Sequence, residues 1–260
     1  MHLDIIIPAH NEEHRIGRTL DSYLRALDAP GIRFLVALDH CTDGTAAIVR
    51  SRQLADGRLH MYRYPKLGKG GVIIETLRRT DAELVAFVDA DRATPPGELL
   101  RLAAVAQDVG AAVASRWHPA SLVPVARPLG RRTASFGFST LVRMMFRLPY
   151  FDTQCGAKVL RRDVLEQVAP HLSARDFLFD VDLLIVARAL GCEVAEVPTV
   201  WIDQKGSRLN LFADSRRMGR SLLRLWLRHR MLPVPTPVPA EPGVQPAPLV
   251  TGQQVVDVAA

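Results

Sequence analysis

The chain has 260 residues, a formal net charge of +6 and a composition that is 48% hydrophobic. This length and apolar content exclude wholesale disorder and allow one large domain with a substantial core. Three cysteines without paired spacing exclude a disulfide framework, and the first residues predict a strand rather than a signal peptide. We therefore expect a protein of the reducing cytosol, and no apolar stretch reaches the roughly 18 residues that cross a bilayer.

The first half of the chain alternates predicted strands and helices. Apolar runs predict strands at 3–7, 34–38, 59–62, 84–88 and 111–114. Helical periodicity and start signals predict helices at 12–28, 45–54 and 69–79, and a further helix that opens at Pro95 and Pro96. Because the connections between strands and helices are short, the pattern predicts an α/β fold with a mainly parallel sheet.

The second half is less regular. An apolar segment at 136–148 precedes a predicted strand at 156–160, helices at 162–168 and 180–190, and an extended stretch at 193–202. A basic amphipathic helix is predicted at 211–231, and the Pro-rich stretch 232–260 is predicted to be a disordered tail. We therefore expect one main domain at 1–210, followed by this helix and the tail.

Polar residues follow three of the predicted strands. Asp89 and Asp91 come directly after the strand at 84–88, Asp39 follows the strand at 34–38, and the polar segment 10–13 follows the first strand. The carboxyl ends of parallel strands meet at the edge where open α/β sheets bind ligands. Two aspartates alone are equally typical of a helix cap or a solvated loop, but three such strand ends predict a nucleotide site.

Successive motifs along the chain resemble those of family-2 glycosyltransferases with the GT-A fold. In the first half the motifs are Ile5–Glu13, Asp39 with Asp43–Thr45, Lys66–Gly71 and Val88–Asp91. In the second half they are Asp152–Lys158, Phe179–Leu184, Glu196–Pro198 and Gly206–Arg208. These later motifs are similar to those of the polyprenyl-phosphate branch, chiefly dolichyl-phosphate β-glucosyltransferases and then dolichyl-phosphate mannose synthases. The resemblance runs from about Leu3 to Arg230.

The resemblance implies a site for a nucleotide sugar. Asp91 would bind Mg²⁺ or Mn²⁺, and Asp89 would contact the same metal or the ribose, so that the cation offsets the charge of the departing nucleotide diphosphate. The residues implied in nucleotide binding are Pro8, Ala9, Asn11, Glu12, Asp39 and, at a phosphate, Lys69. Ala93 stands where mannose synthases often have a metal-binding Gln, which favours the glucosyltransferase branch and UDP-glucose as donor.

On the acceptor side, the resemblance aligns Asp180 with the acidic residue that acts as general base in many family members. A phosphate monoester is mostly dianionic at neutral pH and needs little deprotonation, so Asp180 would then position the acceptor. On the residues alone, Asp180 is also typical of a helix N-cap. The basic residues expected to bind an acceptor phosphate are Arg116, Arg131, Arg132, Lys158 and Arg208.

Two segments favour contact with an anionic membrane surface. The apolar segment at 136–146 is flanked by arginine, and the helix at 211–231 sets a row of arginines beside apolar residues. Such segments lie among lipid headgroups in peripheral membrane proteins, although both could instead pack on the core or on a partner subunit.

Together the residues and the resemblance predict an inverting, metal-dependent hexosyltransferase. It would move a hexose, with UDP-glucose favoured as donor, onto a polyprenyl phosphate at the cytoplasmic face of the membrane. The alternatives are a soluble family-2 glycosyltransferase with a hydroxyl acceptor and a nucleotide-sugar-binding protein without turnover. Nucleic acid is not an expected partner, because the basic residues lack interleaved stacking aromatics.

Overall fold

The computed structural model describes residues 2–124, 129–202 and 211–231, without the side chains at 129, 131–132 and 211–217. The predicted tail at 232–260 lies outside the described residues.

Seven strands of the described residues form one mixed sheet. They are β1 (Leu3–Ala9), β2 (Ile32–Asp39), β3 (Leu59–Tyr64), β4 (Leu84–Phe87), β5 (Ala111–Ser115), β6 (Lys158–Arg161) and β7 (Val194–Pro198). Their spatial order is β3-β2-β1-β4-β6-β5-β7. All neighbouring pairs are parallel except those of β6, which runs antiparallel to both β4 and β5. The predicted α/β fold with a mainly parallel sheet is confirmed.

In the described part of the chain, eight α-helices accompany the sheet. They are α1 (Ile16–Ala26), α2 (Thr45–Ala55), α3 (Lys69–Leu77), α4 (Pro96–Val109), α5 (Leu129–Phe146), α6 (Arg162–Val168), α7 (Phe179–Ala189) and α8 (Leu211–Met231). Within the described ranges, no helix is both long and apolar enough to cross a membrane.

The core is divided by the sheet into two layers. Strand residues alternate between faces, so Ile5 and Ile7 of β1 pack with α1, α2 and α4, while Ile6 packs on the other side with α3, α6 and α7. A third apolar cluster joins α5, α7 and α8, in which Leu222 and Leu225 of α8 are buried. The C-terminal helix therefore packs on the domain through one face.

The structure differs from the sequence prediction at α1, which starts later than predicted, and at α5, a helix where the sequence shows only an apolar segment. α1 begins at Ile16 rather than at Glu12, because the backbone N–H of Glu12 donates to the Thr45 hydroxyl at 2.7 Å and residues 12–15 form a turn. α5 begins at Leu129, ahead of the apolar segment at 136–148. Its first two turns contain polar residues such as Arg131 and Thr133, so they show no apolar periodicity in the sequence.

Candidate active site

The loops that follow β1, β2 and β4 meet at one edge of the sheet. Each contains a non-glycine residue with a left-handed backbone: Asn11 (φ 55°), His40 (φ 49°) and Arg92 (φ 62°). Residues other than glycine rarely adopt this backbone conformation. Strained backbone of this kind concentrates at functional sites. Pro8 and Ala9 lie at the end of β1, so the residues predicted to bind the nucleoside share this edge.

The loops after β1 and β2 are held together by hydrogen bonds. The Asn11 side-chain oxygen accepts from the backbone N–H of Thr42 at 2.9 Å, and the Glu13 carboxylate accepts from Gly44 at 2.8 Å. The Glu12 carboxylate pairs with the Arg15 guanidinium through two contacts of 2.6 and 2.7 Å. These contacts fix the backbone around the residues that are predicted to bind the nucleoside.

Asp39, at the end of β2, orders the turn that precedes α3. Its carboxylate accepts from the backbone N–H groups of Leu67 at 2.7 Å and Gly68 at 3.1 Å. Gly68 has φ of +81°, and a Cβ there or at Gly70 would overlap the backbone of residues 174–175. The turn can therefore approach α7 closely only because these positions are glycine.

Lys69, the first residue of α3, connects the predicted donor and acceptor residues. Its ammonium lies 2.9 Å from the Asp89 carboxylate and 2.9 Å from that of Asp180. Burial alone would lower the pKa of Lys69, but the charges of Asp180 and Asp89 outweigh burial and raise it. Lys69 is therefore charged at neutral pH and holds both carboxylates.

Asp180, in the first turn of α7, is bonded to two lysines. Its second oxygen lies 2.7 Å from the ammonium of Lys158, which also donates to the Cys155 carbonyl. Burial alone would raise the pKa of Asp180, but the charges of Lys158 and Lys69 lower it below the ordinary value. Asp180 is therefore an ionised carboxylate with an ammonium at each oxygen.

Asp89 and Asp91 follow β4, where two residues of α1 hold their loop. The Thr19 hydroxyl donates to the Ala90 carbonyl at 2.7 Å, and the Tyr23 hydroxyl donates to the Thr94 carbonyl at 2.8 Å. Burial and the neighbouring Asp89 charge raise the pKa of Asp91. This local excess of negative charge favours the binding of a cation.

The backbone of residues 152–156 closes the site beside Asp89. A Cβ at Gly156 would overlap the Asp89 carboxylate, so glycine allows the chain to pass directly against it. Gly156 belongs to the motif Asp152–Lys158, and the structure gives a physical reason for the glycine in that motif.

The predicted acceptor cations differ in their surroundings. Arg116 forms a bidentate pair with buried Asp152 at 2.6 and 2.8 Å and lies over the Trp201 ring at 5.2 Å. Burial alone would lower the pKa of Arg116, but the charge and hydrogen bonds of Asp152 outweigh burial and raise it. The guanidinium therefore stays charged. Lys158 is 0% exposed. The side chains of Arg131 and Arg132, and all of Arg208, lie outside the described residues.

A further buried carboxylate, Asp182, was not singled out from the sequence. It accepts from the backbone N–H groups of Ser173 at 2.7 Å and Ala174 at 2.8 Å, and it contacts the His229 ring of α8 at 2.7 Å. Burial alone would raise the pKa of Asp182, but the hydrogen bonds from His229 and the two amides lower it. The sequence indicated Asp182 only as a member of the motif Phe179–Leu184. Its contact with His229 had no sequence signal, because the two residues are distant in the chain.

The chain is similar to known glycosyltransferases. The family model described as "Glycosyl transferase family 2" matches residues 4–169. Dolichyl-phosphate beta-glucosyltransferase of Drosophila melanogaster is 29% identical over 88% of this chain and 76% of its own length. Glycosyltransferase AglD of Haloferax volcanii is 28% identical over 86% of this chain, which spans 37% of that protein.

Among solved structures, glucosyl-3-phosphoglycerate synthase from Mycobacterium tuberculosis, in complex with Mn²⁺, UDP-glucose and glycerol 3-phosphate, matches with a TM-score of 0.65. The two chains are 18% identical, and the match covers 89% of this chain and 81% of that one. This likeness confirms the predicted GT-A fold. Because the family model covers more than half of the sequence, the chain belongs to glycosyl transferase family 2.

Proposed function

We propose that this glycosyltransferase transfers a hexose, with UDP-glucose favoured as donor, to a polyprenyl phosphate, with inversion at the anomeric carbon. Relatives at 28–29% identity that are named dolichyl-phosphate beta-glucosyltransferase support the sugar and the lipid phosphate. We place the reaction at the cytoplasmic face of the membrane.

The environment of Asp180 is the observation that carries the proposed acceptor. Both carboxylate oxygens are held by lysine ammonium groups, at 2.9 Å and 2.7 Å. A carboxylate in this state is a poor proton acceptor, whereas a sugar hydroxyl must lose a proton as it attacks. A phosphate oxygen is already anionic at neutral pH and attacks without a base. The pairing therefore favours a phosphate over a hydroxyl acceptor.

Inversion is consistent with the same geometry. A double displacement would need a carboxylate free to attack the anomeric carbon, and Asp180 is committed to two ion pairs. A single displacement by the acceptor phosphate needs no such nucleophile and inverts the configuration.

Asp91 and Asp89 fit a divalent cation. Their proximity and burial raise the pKa of Asp91, and a cation would relieve the repulsion that causes this rise. Among the described residues no group of three or more His, Cys, Asp and Glu side chains is arranged as a metal site, so donor phosphate oxygens would supply further ligands. When bound, Mg²⁺ or Mn²⁺ would offset the negative charge of the departing nucleotide diphosphate.

Lys69 and Asp39 would prepare the donor site. Lys69 places a charged ammonium beside Asp89, where the diphosphate would lie. Asp39 holds the turn before Lys69 through the amides of Leu67 and Gly68. The donor would therefore meet a pre-ordered cation and backbone, which lowers the cost of ordering on binding.

A surface formed by α5 and α8 would contact the membrane. The two helices touch through the rings of Phe146 and His229, whose centroids are 6.4 Å apart. Large apolar side chains are exposed on both: Phe136, Leu141, Met144, Leu223, Leu227 and Met231. The arginines at 220, 224 and 228 of α8 are also exposed. Apolar side chains beside cations suit an anionic lipid surface.

A transfer assay tests the proposal. Purified protein would receive radiolabelled UDP-glucose, UDP-galactose or GDP-mannose with a polyprenyl phosphate, a polyprenol or a soluble sugar, in the presence of Mg²⁺ or Mn²⁺. We expect label in the organic phase from UDP-glucose and the polyprenyl phosphate, and a product of inverted configuration. Label on the soluble sugar instead would establish the hydroxyl-acceptor enzyme, and donor binding without any transfer would establish a binding protein.

A further inference from the structure

The carboxylate of Asp89 is already engaged at both of its oxygens. One oxygen lies 2.9 Å from the Lys69 ammonium. The other lies against the backbone of Gly156, where an added Cβ would overlap it. Asp91, by contrast, forms no ion pair among the described residues, and its carboxylate accepts a hydrogen bond from the Ala93 amide at 2.9 Å. The two aspartates of the predicted metal site therefore differ in how freely they can bind a cation.

Within the described part of the chain, Lys69 is the cation in contact with the metal-site aspartates. Two guanidinium groups also act on these aspartates through their charge, but each has a carboxylate of its own. Arg15 is bonded to Glu12 through two contacts, and Arg116 is bonded to Asp152 through two contacts. Lys69 therefore supplies the positive charge that is held directly at the predicted metal site.

The ammonium of Lys69 can leave Asp89 without leaving Asp180 unpaired. Lys69 is the first residue of α3, and its backbone belongs to the ordered turn at 68–71. A lysine side chain is a flexible stem with a compact charge at its end, so the charge can shift while the helix stays in place. Asp180, the second partner of Lys69, keeps the ammonium of Lys158 at 2.7 Å. A negatively charged group beside Asp89 can therefore attract the Lys69 ammonium away from it.

The charge of Lys69 opposes the binding of a metal ion at this position. A divalent cation held by Asp89 would lie close to the ammonium, and like charges at short range repel strongly where water screens them little. The side chain of Lys69 is 13% exposed, so this repulsion is poorly screened. A nucleotide diphosphate reverses the balance, because its oxygens attract both the ammonium and the metal. Lys69 thus disfavours the metal alone and favours the metal together with the diphosphate.

Resting on the proposed function, we infer that Lys69 competes with the metal for Asp89 until the donor binds. It weakens the binding of Mg²⁺ or Mn²⁺ to the nucleotide-free chain, and the donor diphosphate attracts its ammonium away from Asp89. Because coupling between two ligands is reciprocal, the metal strengthens donor binding by the same factor by which the donor strengthens metal binding. The site therefore selects the metal and the sugar nucleotide as a pair and holds either one alone weakly.

Calorimetric titration of the full chain with Mn²⁺, in the absence and in the presence of UDP, tests the inference. Lys69→Met removes the charge and is expected to strengthen Mn²⁺ binding to the nucleotide-free chain about tenfold or more, as loss of a close like charge does. The same change is expected to weaken UDP binding and to reduce the factor by which UDP enhances Mn²⁺ binding. Lys69→Gln, which retains a hydrogen-bond donor, should change Mn²⁺ affinity in the same direction.

Arg78→Gln is the matched control, because it removes the same charge at the opposite end of α3, where the side chain is 72% exposed. Its Mn²⁺ affinity should stay within about twofold of that of the wild type, since solvent and salt screen an exposed charge. Melting curves show that the variants fold. Mn²⁺ should also raise the melting temperature of Lys69→Met more than that of the wild type, because the tighter ligand stabilises the folded state more.

Equal or weaker Mn²⁺ binding by the nucleotide-free Lys69→Met and Lys69→Gln chains would overturn the inference, because Lys69 would then hold the aspartates in place for the metal. A wild-type Mn²⁺ affinity that UDP leaves unchanged would overturn it as well. If the wild-type chain binds no UDP even with Mn²⁺, the proposed function fails together with the inference. If the wild type transfers the hexose and the variants bind Mn²⁺ as it does, only the inference fails.

Discussion

At the scale of single residues, the site is organised by which charges have partners. Asp89, Lys69, Asp180 and Lys158 form one connected group of two carboxylates and two ammonium groups, joined by contacts of 2.7–2.9 Å. Asp91 has a hydrogen bond from the Ala93 amide at 2.9 Å but lies beside a like charge, Asp89. The negative charge without a balancing cation is thus concentrated at Asp91.

Asp91→Asn should separate function from stability. We expect transfer activity to fall about a hundredfold or more, as when a group that stabilises transition-state charge is lost. In cation-free buffer the melting temperature should stay equal or rise, because the substitution removes a charge that burial and Asp89 disfavour. Activity assays and thermal melts measure the two effects. Asp108→Asn, at an exposed position on α4, should change neither.

Residue-scale partners were the least predictable part of the site. The sequence places Asp89, Asp91 and Asp39 at strand ends, because apolar runs reveal where strands stop. It does not reveal that Arg116 meets Asp152 or that Lys158 meets Asp180, since these pairs join segments 36 and 22 residues apart. The sequence alone therefore does not distinguish a basic residue that is free to bind an acceptor from one that is already paired with a carboxylate.

At the scale of elements, the glycine turn at 68–71 is defined by its contact with residues 174–175. The backbone N–H of Gly71 donates to the Arg175 carbonyl at 3.0 Å. A Cβ at Gly70 would overlap the Ala174 carbonyl and the Phe179 side chain. The turn, and with it Lys69, is placed by this close backbone approach.

Gly70→Ala should therefore displace the turn. We expect a loss of about 1–3 kcal/mol in the free energy of unfolding, as for other overpacked sites, together with weaker UDP binding. Gly97→Ala is the matched control, because a Cβ at Gly97 of α4 meets nothing within 4 Å. That change should raise stability by about 0.4–1 kcal/mol by restricting the unfolded chain. Denaturant unfolding and UDP titration distinguish the two; equal stability changes would contradict this explanation of the turn.

The helix α8 is attached to the domain by Asp182. The folded-state pKa of Asp182 lies below the ordinary value of 3.8, so its ionised form stabilises the fold above pH 3.8. This contribution is lost as pH falls through the lowered pKa, because the unfolded chain then binds the proton first.

Asp182→Asn should remove that pH dependence. At pH 7 we expect the variant to be about 1–3 kcal/mol less stable, since Asp182 accepts hydrogen bonds from His229 and two backbone amides. The difference from wild type should shrink as pH falls below 3.8. Thermal melts at a series of pH values measure it. A difference that stays constant down to strongly acidic pH would contradict the assigned contacts.

At the scale of the whole molecule, α5 and α8 place apolar and basic side chains on one side of the domain. α8 presents Arg220, Arg224 and Arg228 at exposed positions, while Leu222 and Leu225 are buried in the third apolar cluster. The helix thus uses one face to pack and leaves its basic face available.

Replacing the three arginines by glutamine should weaken binding to anionic vesicles. Each cation near an anionic leaflet contributes about 1 kcal/mol, so three should change the partition coefficient roughly a hundredfold at physiological salt. Vesicle co-sedimentation at two ionic strengths measures the effect. The control variant carries the same change at Arg18, Arg25 and Arg50, exposed residues of α1 and α2. Equal losses in both variants would indicate attraction by net charge instead of a defined surface.

The overall fold was more predictable than the sheet order. Alternating strands and helices in residues 3–115 predict the parallel part, because each apolar run has its own local signal. The antiparallel insertion of β6 between β4 and β5 has no such signal, since strand pairing depends on contacts between distant segments. This insertion is what brings Asp152 and Gly156 to the edge that holds Asp89.

The pairing of β5 with β6 allows the segment between these strands to vary among related proteins. Ala112 lies opposite Val159 and Val113 opposite Lys158, so the long segment between β5 and β6, which contains α5, leaves and re-enters the sheet at adjacent points. A segment with neighbouring ends can be lengthened, shortened or exchanged without shifting the register of any strand. Chimeras that swap residues 116–157 between relatives should thus alter which acceptor is used while the sugar donor stays the same.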